Sequence, residues 1–225
     1  MLLPGLDGTG ELFAPLCAAA APTFATHVLR YDHDPDQSYA RLAEVLAPQL
    51  PQDRPFVLIG ESFGGPLALR LALAAPRGLV AIVFVNTYLR SPIGFLAGRA
   101  LTLMTTLLAH APDLSFMLGD DASRTLVEQV RGALRSMPAS VLRARIVTLR
   151  SCDETSSYLH CMAPMFYLHG SEDRLLPKTA LELFEYVRPG LVVENLAAPH
   201  LLLQRKPAEA LACLQRWLLE DKGYA

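Results

Sequence analysis

Short apolar runs alternate along the chain with longer segments of mixed polar and apolar residues. The runs predict buried strands, and the mixed segments predict helices. The predicted strands cover Met1–Leu3, Thr26–Tyr31, Pro55–Gly60, Leu79–Asn86, Pro164–Leu168 and Leu191–Asn195. The predicted helices cover Glu11–Ala19, Ser38–Ala47, Gly64–Ala75, Lys178–Val187 and Pro207–Leu219. Because strands and helices alternate, we expect an α/β fold in which helices cover both faces of a mainly parallel sheet of about six strands.

The most informative stretch joins the third predicted strand to its following helix through the sequence Gly-Glu-Ser-Phe-Gly, centred on Ser62. So tight a strand-to-helix turn leaves no room for bulky side chains on either side of its centre, and Gly60 and Gly64 meet that demand. Ser62 is then presented clear of the sheet, as in a nucleophile elbow. The competing interpretation is a glycine-rich turn with an idle serine, but the flanking strand and helix favour the elbow.

A serine nucleophile needs a base and an acid that orients the base, and in this arrangement the acid precedes the histidine along the chain. Asp173 lies in the loop after the predicted strand that ends at Leu168, and His200 lies in the loop after the next strand. We therefore predict Asp173 as the acid and His200 as the base. Glu172, which is adjacent to Asp173, remains the alternative acid.

Acyl chemistry also requires backbone N–H groups that bind the oxyanion, one after the nucleophile and one from an early loop. Phe63 is predicted to supply the first. The glycine-rich stretch from Pro4 to Gly10 allows close approach of the backbone to a substrate, and Leu6 is its predicted donor. A phosphate-binding loop is the alternative, and it is disfavoured because no Gly-Lys-Ser/Thr follows.

These motifs together resemble the α/β-hydrolase superfamily, and the resemblance covers nearly the whole chain. The glycine-rich stretch combined with the elbow is similar to small bacterial esterases and to the hydrolase-like segment of plant phytyl ester synthases. The layout also resembles carrier-protein methyl-ester esterases. The resemblance implies acyl chemistry at Ser62, His200 and Asp173 without a cofactor or a metal, and it does not choose among acyl acceptors.

The superfamily usually has two strands before the oxyanion-loop strand, and both are missing from this sequence. We expect either a naturally minimal sheet or a longer gene product in which Met1 is internal. Loss of these strands would leave the predicted Thr26–Tyr31 strand as an edge, which favours association into a homo-oligomer.

Composition narrows the class of protein. The chain has 225 residues, of which 52% are hydrophobic, and this predicts a single domain over residues 1–225. A net charge of −2 argues against nucleic acid as a partner. The four cysteines form no Cys-x-x-Cys pair, which predicts reduced thiols and a cytoplasmic location. No signal peptide is recognisable, and no uncharged run reaches the roughly 18 residues of a membrane-spanning helix.

Other titratable residues are weaker candidates. Asp153 precedes its strand rather than following it, and His169 ends its strand beside a glycine, which favours a structural role. His33 lies among three aspartates in a way that suggests metal ligands. The spacing of His33 and these aspartates is that of a solvated loop after a strand, so no metal site is predicted there.

Residues from about 90 to 160 lack sheet-like runs and are predicted to form a helical cap. The stretch Pro92–Leu108 is too apolar for a solvated helix, and either core packing or a lid over an apolar acyl group accounts for it. The same insertion carries an excess of arginines, namely Arg90, Arg99, Arg124, Arg131, Arg135, Arg143, Arg145 and Arg150. These arginines are either solvated or a docking face for an acidic acyl carrier protein or a coenzyme A phosphate.

The sequence therefore predicts a serine hydrolase that cleaves carboxylic esters of apolar acyl groups. Acyl-thioester hydrolysis or acyl transfer is the first alternative. The second is a non-catalytic ligand receptor built on the same fold, because a fold does not determine a function.

Overall fold

The computed structural model describes residues 1–21, 23–93 and 113–220. In this part of the chain, five strands form one parallel sheet in the order β1 to β5, with every neighbouring pair parallel. The strands are β1 (Leu2–Leu3), β2 (Phe56–Glu61), β3 (Leu79–Val85), β4 (Met165–Gly170) and β5 (Val192–Leu196). Their carboxyl ends share one edge of the sheet, where residues that follow β2, β4 and β5 meet. The predicted fold class is confirmed.

The predicted Thr26–Tyr31 strand was wrong in extent, because among the described residues it forms only a single bridge, between Val28 and Leu2. The N–H of Leu2 donates to the carbonyl of His27 at 2.8 Å, and the N–H of Leu29 donates to the carbonyl of Leu2 at 2.9 Å. Since β1 contains only two residues, Leu2 is its one residue that can pair on this side. The ladder therefore ends after one bridge, and self-association along this edge stays a prediction.

The described chain contains ten α-helices, of which the five predicted with bounds start and end close to the predicted positions. They are α1 (Ala14–Ala20), α2 (Tyr39–Leu46), α3 (Gly64–Leu73), α4 (Ser115–Leu118), α5 (Arg124–Ser136), α6 (Ala139–Arg150), α7 (Thr155–His160), α8 (Thr179–Val187), α9 (Leu202–Arg205) and α10 (Pro207–Gln215). Short 3₁₀ turns cover Glu11–Phe13 and Ala47–Gln49, and a π-helical turn covers Arg216–Glu220. No described helix is long and apolar enough to cross a bilayer.

Alternation along the strands divides the core between the two faces of the sheet. On β3, Phe84 packs in a layer with residues of α2, α3 and α8, whereas its neighbour Val83 packs in a layer with α1 and α10. Both side chains are fully buried, and each such burial stabilises the fold by about 1.5–3 kcal/mol. The period of two in sequence thus decides which layer each strand residue joins.

A third apolar cluster lies among the helices between β3 and β4, which we call the β3–β4 helices (α4 to α7). Residues of α4, α5 and α6, including Leu118, Leu134 and Ile146, pack together with Leu201 from the loop after β5. These helices are therefore attached to the carboxyl edge of the sheet. Residues 94–108 of the predicted lid lie outside the described residues, and the division into one domain with a cap stays a prediction.

Candidate active site

Ser62 lies in the turn between β2 and α3 and has a positive φ of 53°. A Cβ at Gly60 would lie 2.5 Å from the carbonyl oxygen of Gly64, so the turn cannot close with a side chain there. The Ser62 N–H donates to the carbonyl of Val85 at 3.0 Å, and the Thr87 hydroxyl donates to the carbonyl of Ser62 at 2.6 Å. This strained conformation is the one expected of a nucleophile elbow.

His200 joins Ser62 to Asp173. The Oγ of Ser62 lies 2.9 Å from Nε2 of His200, and Nδ1 of His200 lies 2.8 Å from Oδ2 of Asp173. The side chains of His200 and Asp173 are 1% and 3% exposed. Because a carboxylate accepts at Nδ1, we assign the imidazole proton to that nitrogen, which leaves Nε2 free to accept the hydroxyl proton of Ser62.

The loop after β4 holds the carboxylate of Asp173 in its ionised form. Its Oδ1 accepts the N–H of Leu175 at 2.7 Å and the N–H of Leu176 at 3.1 Å. Burial opposes ionisation, but the bond to His200 and these two N–H groups outweigh it and hold the pKa of Asp173 below its usual value. The alternative acid, Glu172, is exposed to solvent. Of the two adjacent carboxyl groups, Asp173 is therefore the one in contact with His200.

The two predicted oxyanion donors lie beside Ser62. A Cβ at Gly5 would lie 3.8 Å from the Cβ of Ser62, so the glycine-rich loop passes next to the serine. Leu6 and Phe63 both line the cavity at Ser62. In the described part of the chain, no hydrogen bond uses the backbone N–H of either residue. Both N–H groups therefore remain available to a ligand.

A cavity of about 430 Å³ contains Ser62 and His200 in its wall. Its lining is mostly apolar and combines the loops of the sheet edge with side chains of the β3–β4 helices. The described apolar residues from these helices are Phe116, Met117, Val130, Leu134, Ile146 and Leu149. The volume is in the range of small-molecule sites, and the lining suits an apolar group placed beside the Oγ of Ser62.

Sequence reasoning missed Asn86, the residue that follows β3. Its Nδ2 donates to the carbonyls of Pro199 and His200 at 3.1 and 2.8 Å, and its Oδ1 accepts the N–H of Gly170 at 2.7 Å. Asn86 is fully buried and has a φ of 39°, a conformation that asparagine tolerates better than most residues. It ties the loop of His200 to the end of β4. A polar residue at the end of an apolar strand was the available signal.

Glu61, the residue before Ser62, was also missed as a buried acid. Its side chain is 1% exposed and accepts the N–H of Leu203 at 3.3 Å and the Nε2 of Gln204 at 2.8 Å. Desolvation raises the pKa of Glu61 from 4.5 to about 7, against the opposing effect of these bonds and of His200. The sequence could not indicate this, because glutamates are usually exposed.

The weaker candidates lie apart from this constellation. Asp153 forms an ion pair with Arg90 at 3.0 Å, and His169 is half-buried on β4 with a pKa lowered by burial. The aspartates around His33 accept backbone N–H groups, for example Asp36 from Ser38 at 2.8 Å. Within the described ranges, no three His, Cys, Asp or Glu side chains are arranged to hold a metal ion.

The predicted basic face needs one correction. Arg145 is fully buried and is no part of any surface. Arg135 and Arg143 are exposed, whereas Arg131 is half-buried and lies 3.7 Å from Glu128. Arg99 lies outside the described residues. Docking of an acidic carrier protein or coenzyme A at the remaining arginines stays a prediction.

Comparison with known proteins agrees with this architecture. The model of the alpha/beta hydrolase family matches residues 1–212. The chain belongs to this family. The predicted resemblance is thereby confirmed. The candidate site lies in an α/β-hydrolase fold, and esterases are among the similar structures.

The chain is similar to relatives whose names describe different activities. The chain is 24% identical to the putative carbamate hydrolase RutD of Rhizobium rhizogenes, over 94% of this chain and 85% of the relative. It is 28% identical to phytyl ester synthase 1, chloroplastic, of Arabidopsis thaliana over 79% of this chain, but this match spans only 30% of the plant protein. Among solved structures, an esterase from Exiguobacterium antarcticum has a TM-score of 0.76 at 14% identity, covering 95% of this chain and 90% of that one. So low an identity shows the fold alone.

Proposed function

We propose that the protein is a serine hydrolase that cleaves carboxylic esters of apolar acyl groups. The observation that carries the proposal is the hydrogen-bonded series Ser62–His200–Asp173, with separations of 2.9 and 2.8 Å, in the wall of a mostly apolar cavity. This geometry is that of a nucleophile, a general base and an orienting acid. The esterase-like members of the family make an ester the substrate class that fits best.

In the proposed reaction, Oγ of Ser62 attacks the ester carbonyl carbon while Nε2 of His200 takes the hydroxyl proton. The backbone N–H groups of Leu6 and Phe63 bind the resulting oxyanion. Collapse of this intermediate breaks the bond to the alcohol, which leaves with the proton from His200, and an acyl-enzyme remains. Water then repeats the sequence and releases the acid. The chain itself supplies each group, so the proposed mechanism requires no cofactor.

Replacement of Ser62 tests the proposal. We expect Ser62→Ala to lower kcat for short p-nitrophenyl esters by about 10⁴- to 10⁶-fold, because the proposed acyl-enzyme forms on the Ser62 hydroxyl. The same variant should lose covalent labelling by a fluorophosphonate. Ser140→Ala, at an exposed position at the start of α6, is the matched control and should keep full activity and labelling.

Near-normal turnover by Ser62→Ala would refute the assignment of the nucleophile. Fluorophosphonate labelling of the wild-type protein without turnover of any ester would instead favour the ligand-receptor alternative.

Acyl transfer to an alcohol is the second candidate. It is favoured by the likeness to a phytyl ester synthase and by the apolar cavity, in which a hydrophobic alcohol competes well with water for the acyl-enzyme. The two reactions are separated by adding a long-chain alcohol and measuring the ratio of new ester to free acid. Thioester hydrolysis is tested by measuring the release of free coenzyme A from acyl-coenzyme A.

The cytoplasmic location stays a prediction.

A further inference from the structure

A fully buried guanidinium lies directly beneath the glycine-rich loop. Arg145 belongs to α6 and is 0% exposed. In the described chain, its hydrogen bonds go to uncharged acceptors, and it contacts the main-chain carbonyls of Asp7 and Asp32 rather than their carboxylates. A buried cation without a paired anion is costly to desolvate, so the acceptors around it must be well placed.

Two of the acceptors of Arg145 lie on the loop that carries Leu6, and the others belong to Asp32, Gln37 and Met137. Nη1 donates to the carbonyls of Leu6 at 3.0 Å and of Asp7 at 2.8 Å. Nη2 donates to the carbonyl of Asp32 at 3.1 Å, and Nε donates to Oε1 of Gln37 at 2.8 Å. One planar side chain thus fixes two successive peptide groups of the loop and joins them to the segment after the Val28 bridge.

Tyr31 completes this support. Its hydroxyl donates to the carbonyl of Pro4 at 2.7 Å, its N–H donates to the carbonyl of Gly8 at 3.0 Å, and its ring lies 5.3 Å from the guanidinium carbon of Arg145. The carbonyl of Gly5 accepts the N–H of Gly8 at 3.1 Å. Every carbonyl from Pro4 to Gly8 is therefore held. The Gly5–Leu6 peptide, which carries the Leu6 N–H, lies between two anchored peptides.

Gly8 makes room for this contact. It has a φ of 66°, and a Cβ there would collide with Nη1 of Arg145 and lie 2.7 Å from Cδ2 of Tyr31. A glycine at this position lets the guanidinium reach the main chain, so Gly8, the second of the three glycines of the loop, has a role besides flexibility.

We propose that Arg145 is a positioning residue that aims the Leu6 N–H at the oxyanion. The inference rests on the proposed function, and it extends that function to a residue 83 positions after Ser62 that touches neither the substrate nor the reacting atoms. Because Ile146 and Leu149 of the same helix line the cavity, α6 both covers the bound group and sets the position of the oxyanion donor. A displacement of α6 would move the Leu6 N–H as well as the cavity wall, so we expect it to change kcat as well as the affinity for substrate.

The test is Arg145→Ala, with Arg143→Ala as the matched control because Arg143 lies on the same helix and is exposed. Loss of one oxyanion donor costs about 100-fold or more in kcat, and we expect Arg145→Ala to reach that size with KM changed only a few-fold. Inhibition by a trifluoromethyl ketone, which forms an oxyanion adduct with the serine, should weaken by a similar factor. Binding of the product acid should be unchanged. On short p-nitrophenyl esters, which carry neither a carrier protein nor coenzyme A, Arg143→Ala should match the wild type.

Chemical rescue separates positioning from general structural support. Methylguanidinium, added below concentrations that unfold the protein, should restore about 10-fold of the lost kcat in Arg145→Ala. Methylammonium should not, because its three N–H donors cannot reach together the four oxygen acceptors that Nη1, Nη2 and Nε of Arg145 hold. If Arg145→Ala fails to fold, Arg145→Lys is the second variant. It keeps the charge and most of the volume, and we expect lowered kcat and weakened ketone inhibition at nearly unchanged KM.

Two results would overturn the inference while leaving the proposed function intact. One is Ser62-dependent turnover with a normal kcat in Arg145→Ala or Arg145→Lys. The other is an equal weakening of ketone and product-acid binding, which would show a general structural defect. Absence of Ser62-dependent turnover in the wild-type protein would refute the proposed function itself and this inference with it.

Discussion

The buried carboxyl of Glu61 makes the stability of this protein depend on pH in a calculable way. Desolvation raises its pKa from 4.5 to about 7 in the folded state, whereas in the unfolded chain the carboxyl returns to its usual value. The folded state therefore binds the proton of Glu61 more tightly than the unfolded state. Replacing this residue by glutamine removes the titration and keeps the side-chain volume.

The size of the effect follows from the shift. One pKa unit corresponds to about 1.4 kcal/mol, so Glu61 contributes about 3 kcal/mol of pH-dependent stability. Because the folded pKa is the higher one, this contribution is fully present below pH 4.5 and is lost as the pH rises through about 7. In Glu61→Gln this pH-dependent contribution to the unfolding free energy is absent at every pH. The difference in unfolding free energy, variant minus wild type, should thus rise by about 3 kcal/mol between pH 4.5 and pH 8.

Urea denaturation measures this difference. The chain has one tryptophan, and Trp217 is 3% exposed and stacked on Phe166 at 4.7 Å, so its fluorescence reports unfolding. Subtracting wild type from variant cancels the titrating groups that do not interact with Glu61. Among the described residues, Oε1 of Gln204 has no hydrogen-bond partner. If the Gln204 amide rotates, the new amide of Glu61→Gln can donate to this oxygen. Glu172→Gln, at an exposed site, is the control for the change from carboxyl to amide.

Parallel stability curves for the wild type and Glu61→Gln would refute this reasoning. They would mean that water or a neighbouring group solvates Glu61 in the folded protein, so that its pKa stays near 4.5.

Two further predictions concern the support of His200. Asp173→Asn should lower kcat by about 10⁴-fold, by analogy with the well-studied protease case, while Glu172→Gln should change it little; the reverse ranking would make Glu172 the acid. Asn86→Ala leaves two carbonyls and the Gly170 N–H without their partner, so we expect the unfolding free energy to fall by about 2–3 kcal/mol and kcat to fall with it. Urea denaturation and ester turnover check this, and an unchanged kcat would show that the His200 loop holds its position unaided.

Much of the candidate site was predictable because its signals are local. The elbow depends on Gly60, Ser62 and Gly64 within one turn, and each of Asp173 and His200 follows a strand that its own apolar run reveals. Parallel strands bring their carboxyl ends to one edge, so chain order was enough to assign these residues to one place. The helix bounds were also close, since Ser38 at the start of α2 accepts the N–H of Arg41, as a capping serine does.

Other features could not be predicted, because they depend on residues far apart in the chain. The Thr26–Tyr31 run has strand composition, but the length of its pairing is limited by the two residues of β1. Arg145 has the composition of a surface arginine, and its burial follows from contacts with Leu6, 139 positions away.

The sequence by itself determined the α/β class, the elbow and the three residues that meet at the sheet edge, because apolar periodicity and glycine turns act over a few neighbouring residues. Only the tertiary structure decided which polar side chains support them. Asn86 reaches His200 across 114 positions, and the buried carboxyl of Glu61 accepts hydrogen bonds from Leu203 and Gln204 of α9. The physical reason is that a hydrogen-bonding partner and the degree of desolvation belong to the packed arrangement of elements, and no local pattern encodes either one.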